Sequence, residues 1–321
     1  MEVIPFACPM CKGPLAHTTG AYCCDLCARR YPVICGIPDF RILPDRYISI
    51  EEDRRKGARL FEEARGRSFA EMFDYYYSIT PEVPAELARK FTVHALAEVE
   101  IAEITLSQIN KAPPGPLLDV GCSTGGLLVA AARRFPAAAG VDVAFRWLVV
   151  GTARLREAGV ETPLACANAE FLPFTADTFA AVTATDLVEH VADPAPLFVE
   201  CRRVAAPGAV VYFSTNNRYS LAPEPHAGVW GVGFLPRRLQ ANYVRLMSGR
   251  SYQNITLRSA RELAHCTRAA GFEGCRPSPA PVVAPGRSPR LQALYNRLRR
   301  VAGFSRVLRP IGPRLQIVCR K

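Results

Sequence analysis

From Leu117 onward the chain alternates short apolar runs with helical patterns, and that alternation restricts the architecture more than any other feature. Pro116-Leu-Leu-Asp-Val120 is the first run, and a helical pattern follows Gly121-Cys-Ser-Thr-Gly-Gly126. A second run ends at Asp142 and leads into a helix from Arg146 to Ala158. Pro163 to Ala167, Ala180 to Leu187 and Ala205 to Thr215 (broken by Gly208) are three more apolar runs. A helix over Arg258 to Gly271 precedes a sixth strand from Phe272 to about Ser278, and Arg314 to Arg320 alternates as a seventh. Short strands alternating with helices predict an α/β fold with a doubly wound parallel sheet. Ligands of such a sheet bind at the carboxyl ends of the strands, near the switch point.

The loop after the first strand narrows the ligand. Glycines at Gly121 and Gly125 permit a tight turn and a close backbone approach. The GxGxxG spacing that makes room for a pyrophosphate is absent. Instead Asp119 precedes the first glycine, where a carboxylate suits a cationic group such as an α-amino group. Asp142 ends the second strand, where an acid accepts hydrogen bonds from both ribose hydroxyls. A nucleoside with an amino-acid tail and no phosphate satisfies both acids, and S-adenosylmethionine is such a molecule.

Six of the twelve cysteines fall between Cys8 and Cys35. Cys8-Pro-Met-Cys11 and Cys24-Asp-Leu-Cys27 are two CxxC knuckles, a pattern that supplies four thiolates to a tetrahedral zinc ion. Cys23 competes with Cys24, but only Cys24 completes a CxxC with Cys27. Four thiolates leave no open position, so the expected role of Zn2+ is structural. So short a segment has no stable core of its own, and the metal supplies folding energy. The domains expected are a zinc ribbon over 1–44, a helical connector over 45–111 and a catalytic domain over 112–321.

Within the connector, a helical stretch is expected from about Ala85 to Asn110. Phe73, Tyr75, Tyr76 and Tyr77 read either as packing or as a cap on a ligand pocket. Basic residues exceed acidic ones by 11, and Arg287 to Lys321 holds ten basic residues and no acidic one. That local excess marks an anion-facing patch, whether RNA, an anionic lipid surface or an acidic partner. A basic helical insertion is expected at about 282–313, with Leu291, Leu294, Tyr295, Leu298 and Ala302 on one face. Its readings are a helix docked on its own domain, peripheral membrane contact or RNA phosphate contact. No apolar run approaches the ~20 residues of a membrane span, and the N-terminus lacks the pattern of a signal peptide. The expected location is the cytoplasm.

Read in order, LLDVGCSTG, GVDV, NAEFLPF, DLVEHV and AAPGAVVYFSTNN resemble the class I S-adenosylmethionine-dependent methyltransferases, in particular the ubiquinone/menaquinone-biosynthesis-like group. The similarity covers about Ala112 to Phe272. It implies a seven-stranded Rossmann-like sheet. It also implies a cofactor site of Asp119, Gly121, Cys122, Ser123, Gly125, Asp142, Val143, Asn168, Ala169, Asp186 and Leu187. Asp119, Gly121 and Asp186 then lie by the methionine part, Asp142 by the ribose, and Asn168 and Ala169 by the adenine. Ser123 replaces the usual middle glycine, and Asn168 replaces the usual aspartate. CPMCKGPL and CDLCARRYPVICGIPDF resemble the small zinc-binding domain that activates tRNA and protein methyltransferases.

Methyl transfer needs in-line positioning, and a general base only where the nucleophile must lose a proton. Glu189 and His190 follow the fourth strand, where the resemblance implies that they face the site; His190 reads as a base, a metal ligand or a structural histidine. His226, in LAPEPH, is the second candidate base, and Trp230 and Phe234 are expected to line the acceptor pocket. An NPPY motif is absent, which favours an oxygen or carbon acceptor. The leading function is therefore methylation of a small-molecule or lipid-like acceptor. The alternatives are an RNA methyltransferase and a non-catalytic binding protein that keeps the cofactor fold.

Overall fold

The computed structural model describes residues 4–283 and 288–321. Four short strands come first, β1 (Ala16–Thr18), β2 (Ala21–Cys24), β3 (Arg29–Ile34) and β4 (Ile37–Pro38). Four helices follow, α1 (Ile50–Glu63), α2 (Phe69–Ser78), α3 (Ala85–Leu96) and α4 (Glu98–Gln108). The alternating region contains β5 (Leu117–Val120), α5 (Gly126–Ala131), β6 (Ala138–Asp142), α6 (Phe145–Glu157), β7 (Leu164–Cys166) and β8 (Phe179–Thr185). After these come α7 (Pro194–Val204), β9 (Ala205–Asn216), α8 (Arg237–Ser248), α9 (Ala260–Ala269), β10 (Ser278–Pro279), α10 (Pro289–Leu298), α11 (Ala302–Ile311) and β11 (Arg314–Arg320). One sheet has the order β1-β2-β3-β4 and is antiparallel throughout. The other is the expected seven-stranded sheet, in the order β10-β11-β9-β8-β5-β6-β7, with β5 parallel to both β6 and β8.

The chain divides into two compact units. The first runs to Thr183 and includes Arg203–Val210 and Lys321; the second comprises Ala184–Arg202 and Val211–Arg320. In the first unit all four residues of β5 are buried, as a strand covered on both faces requires. Helices α1 and α2 pack on α6, and α4 packs on α5. Phe73 and Tyr76 of α2 meet the Trp147 ring at 5.4 and 4.2 Å, so these two aromatic side chains serve packing. The ribbon's core is also aromatic. Phe40 is fully buried against Phe6, Tyr22 and Tyr31.

The stretch expected as one helix from about Ala85 to Asn110 breaks at Ala97. Arg154 of α6 explains the break. Its guanidinium donates both to the Ala95 carbonyl and to the Glu98 carboxylate at the start of α4. A carbonyl released at the end of α3 thus gains a charged donor.

In the second unit Phe213 packs between Phe198 and Phe272, with ring centroids at 4.4 and 6.2 Å. Ala227, Val229, Val232, Val244 and Tyr252 form a separate apolar cluster against α8. The sixth strand is shorter than the sequence pattern suggests, only Ser278–Pro279. Gly274 lies at φ +68° and Pro277 has no N–H, so the chain joins the ladder late. The basic stretch forms two helices, α10 and α11, separated by extended Val301. Residues 284–287, part of the insertion read over 282–313, lie outside the described residues.

Candidate active site

The first unit builds a glycine loop between β5 and α5. Gly121 and Gly125 sit at φ +78° and +76°, the left-handed region that glycine enters freely. Ser123 lies at φ +48°, a conformation that costs an L-residue roughly 1–2 kcal/mol. Its backbone N–H donates to Asp142 Oδ2 at 2.8 Å, and the Ala144 N–H donates to Oδ1 at 2.8 Å. Both Asp142 oxygens are thereby oriented at the end of β6. Gly121 and Cys122 each donate to the Val141 carbonyl, which pins the loop to that strand. Thr124 and Arg154 both donate to Glu98 Oε2, so α4 braces the loop from behind.

Asp119 is buried and accepts from Thr183 Oγ1 at 2.8 Å. Burial pushes its carboxyl up to about 8, and the charges of Glu98 and Asp142 push the same way. Asp142 is likewise raised, to about 6, chiefly by burial. A cluster of carboxylates that resists ionisation is chemically complementary to a cation. This donor set therefore fits the ammonium and sulfonium of S-adenosylmethionine, with Asp142 free to accept from hydroxyls.

Val143 follows Asp142, whose carbonyl accepts from the Ala167 amide at 3.0 Å just before Asn168 and Ala169, and the segment after β4 packs on this stretch. Phe40 N donates to the Cys166 carbonyl at 2.7 Å, and Arg41 Nη1 donates to the Val143 carbonyl at 3.2 Å. Asn168 Oδ1 accepts from the Ile42 and Leu43 amides at 2.9 and 3.0 Å, and its Nδ2 donates to the Leu43 carbonyl at 3.1 Å. The carboxamide expected at the adenine thus holds residues 42–43.

The ribbon brings Cys8, Cys11, Cys24 and Cys27 together, with all four sulfurs within 4.8 Å of one another. Cys8 and Cys27 lie 3.6 Å apart, and Cys11 and Cys24 lie 3.4 Å apart. Cys23 instead faces the Thr18 hydroxyl at 3.8 Å.

The second unit holds the expected catalytic residues. Glu189 is buried, with Oε2 accepting from Thr215 at 2.6 Å and Oε1 from Asn216 Nδ2 at 2.7 Å. The His190 and His226 rings meet edge to face at 5.1 Å. Ligand atoms of Glu189, His190 and His226 all lie within 4.8 Å of one another. His226 Nδ1 lies 2.5 Å from Glu224 Oε1, and Glu224 Oε2 accepts from the Ala227 amide at 2.6 Å. Burial opposes charge on both imidazoles. At His190 it prevails and lowers the pKa, whereas at His226 the bond to Glu224 overcomes it and raises the pKa. Asp186, beside Leu187, sits at φ +51° and pairs with Arg314 at 2.5 Å. Trp230 and Phe234 stack at 6.3 Å with both side chains substantially exposed.

Glu224, Thr183, Glu98 and Arg314 were not singled out in the sequence. Glu224 had a visible signal in its i, i+2 spacing to His226. The other three come from distant elements and left none.

A family model of the methyltransferase domain matches residues 93–275. The chain belongs to the class I S-adenosylmethionine-dependent methyltransferases. Among curated relatives of this methyltransferase, the ubiquinone biosynthesis O-methyltransferase of Paracidovorax citrulli is 35% identical over 210 residues, covering 59% of this chain and 82% of the relative. The enzyme of that name from Hahella chejuensis is 39% identical over 123 residues, covering 37% of this chain and 52% of the relative. The match to the Hahella enzyme therefore spans about half of that relative's length. The fold is shared with Haemonchus contortus phosphoethanolamine N-methyltransferase 2, solved with S-adenosyl-L-methionine. Its TM-score is 0.50 at 16% identity, with 80% of this chain and 60% of that one covered.

Proposed function

We propose that this methyltransferase methylates an oxygen of a small-molecule or lipid-like acceptor, with His226 as the base. The carrying observation is the Glu224–His226 pair at 2.5 Å. A carboxylate on Nδ1 fixes the tautomer that leaves the Nε2 lone pair available, and stabilises the imidazolium that forms. A hydroxyl acceptor gives its proton to Nε2 as its oxygen takes the methyl group. Glu189 holds Thr215 and Asn216 in place behind this pair, and His190 packs on the His226 ring. The names of the relatives support a quinol-like acceptor.

The cofactor reading rests on Asp119, Asp142 and the loop from Gly121 to Gly125, with Val143, Ala169, Asp186 and Leu187 completing the set. S-adenosylmethionine supplies an activated methyl group there when bound. Zn2+ is assigned to Cys8, Cys11, Cys24 and Cys27 as a structural ion. The proposed location is cytoplasmic, with lipid contact through α10 and α11. The converging ligand atoms of Glu189, His190 and His226 favour a second reading, in which they bind a divalent cation that activates the acceptor oxygen.

The test uses methyl-labelled S-adenosylmethionine with a catechol acceptor. His226→Gln should lower kcat about 100-fold or more, with cofactor binding retained. Loss of activity on chelation, restored by Mg2+, selects the metal reading. Full activity of the variant rejects the base, and label entering RNA rejects the acceptor class.

A further inference from the structure

Two cysteines of the second unit lie outside every role assigned so far. Cys275 precedes β10 and is partly exposed, whereas Cys319 lies in β11 and is buried. The antiparallel register pairs Ser278 with Gln316 and Pro279 with Leu315. Continued outward, that register sets Pro277 against Ile317, Arg276 against Val318 and Cys275 against Cys319. The side chains obey it. The Cys319 thiol and the Arg320 backbone N–H are the neighbours that act on the Cys275 sulfur. Cys275 in turn donates to the Glu273 carbonyl at 3.4 Å.

We propose that Cys275 and Cys319 are a reversible thiol–disulfide pair, a redox modification site that closes a covalent loop around α10 and α11. Residues directly opposed in an antiparallel pair have Cα atoms about 4.5–5.5 Å apart, within the span of roughly 4.4–6.8 Å that a disulfide bridges. Carried on from Ser278 and Gln316, the register brings Cys275 and Cys319 into that span.

The roles of the two sulfurs follow from their surroundings. Cys275 is the more accessible one. The Cys319 contact leads in drawing its pKa below the ordinary thiol value, and thus in favouring the attacking thiolate. Cys319 is raised, first by that same hydrogen bond and then by burial, so it stays a thiol until its neighbour has reacted. The oxidant is a small disulfide of the glutathione class. The Cys275 thiolate attacks one sulfur of that disulfide, forming a mixed disulfide and expelling one thiolate. Cys319 then loses its proton and attacks the Cys275 sulfur, expelling the second. Two protein thiols lose two electrons and two protons, and one glutathione disulfide becomes two glutathiones.

The redox partner is independent of the methyl acceptor, so this site stands whether or not the acceptor class proposed above is right. The closed loop contains about 45 residues, long enough for the bond to restrict the unfolded chain considerably.

The experiment uses the full chain with zinc loaded, equilibrated in glutathione buffers of graded ratio. It is read by tryptic mapping without reduction and by thermal unfolding. The expected result is a cross-linked pair of peptides carrying Cys275 and Cys319, mass 2 Da below the summed free peptides, fully reversed by dithiothreitol. Oxidation should raise the melting temperature by roughly 5 °C or more. Cys275→Ser should fold as wild type and lose the cross-link and the shift together. Cross-links confined to the four ribbon cysteines, stable glutathionylation of Cys275 without closure, or an equal shift in Cys275→Ser each overturn the proposal.

Discussion

Asp119 connects the chemistry of one side chain to a measurable pH dependence. Its folded pKa of about 8 stands well above the carboxyl value of about 4 in an unfolded chain. Between those limits the folded state holds the extra proton. The contribution of this group to stability without cofactor is thus full below pH 4 and is lost as pH rises toward 8. A bound cation reverses that preference, because it stabilises the ionised form. S-adenosylmethionine binding near pH 6.5 should therefore release close to one proton. Calorimetry in buffers of different ionisation enthalpy reads the number directly. Asp119→Asn should remove that proton and weaken binding about 10–100-fold, the loss of one charge-assisted contact. An unchanged proton count in the variant would place the titration elsewhere. The His226 base has its own sign. Its pKa is raised, so the reactive neutral form gains population only at pH above the ordinary imidazole range. Methylation should accelerate through that interval, and Glu224→Gln should move the rise to lower pH.

At the scale of elements, the start of α6 rests on a carboxylate from α1. Asp53 is fully buried and accepts from the Phe145 amide at 2.8 Å and from Arg146 Nη1 at 2.8 Å. Arg41 Nη1 donates at 2.6 Å to Oδ2, the oxygen that also accepts from the Phe145 amide, while Asp39 holds the rest of the Arg41 guanidinium. This network of three acids and three arginines, with Asp45 on Arg146 and Arg54 on Asp39, orients the turn that carries Asp142 and Val143. Asp53→Ala removes the carboxylate that Arg41 and Arg146 share, while Asp39 still holds Arg41 and Asp45 still holds Arg146, and should cost about 1–3 kcal/mol in denaturant unfolding; a cost well below about 1 kcal/mol would show that the shared contact is dispensable. The ribbon invites a separate test. Metal analysis should find one zinc per chain, and chelation should abolish the ordered ribbon in far-ultraviolet circular dichroism. Absence of zinc from protein purified without chelator would reject that assignment. Much of this layer was legible in advance. Period-two and helical patterns marked the strands and helices, and the spacing of Cys8, Cys11, Cys24 and Cys27 marked their convergence. The Ala97 break was hidden because its cause is Arg154, 57 residues further on by sequence number. Asn168 was hidden for a similar reason: its hydrogen-bond partners lie in Ile42 and Leu43, and no local pattern announces a pairing at that separation.

For the whole molecule, the uneven charge is more informative than the net value of +11. Leu291, Leu294, Phe304 and Val307 are each more than half exposed on α10 and α11, beside arginines. None of the described helices is long and apolar enough to cross a membrane. Helices of this composition suit an interface between water and anionic lipid. Cosedimentation should be strong with vesicles containing about 30% phosphatidylglycerol, weak with pure phosphatidylcholine, and reduced by salt over a Debye length of about 8–10 Å. Leu291→Glu with Phe304→Glu should abolish it while leaving cofactor binding intact. Equal binding to both vesicle types would remove the lipid assignment.

The bridge from Asp39 to Cys166 has a consequence for how the chain is made. Strand β7 ends the seven-strand order, and an uncovered edge of that kind invites pairing with another chain. The ribbon leaves the ribosome roughly 130 residues before Cys166, a lead of order ten seconds at about 5–20 residues per second. By the time β7 emerges, the four-stranded N-terminal sheet has already been made on the same polypeptide. The first partner that this strand meets is then its own N-terminus, which covers the edge before another chain can reach it.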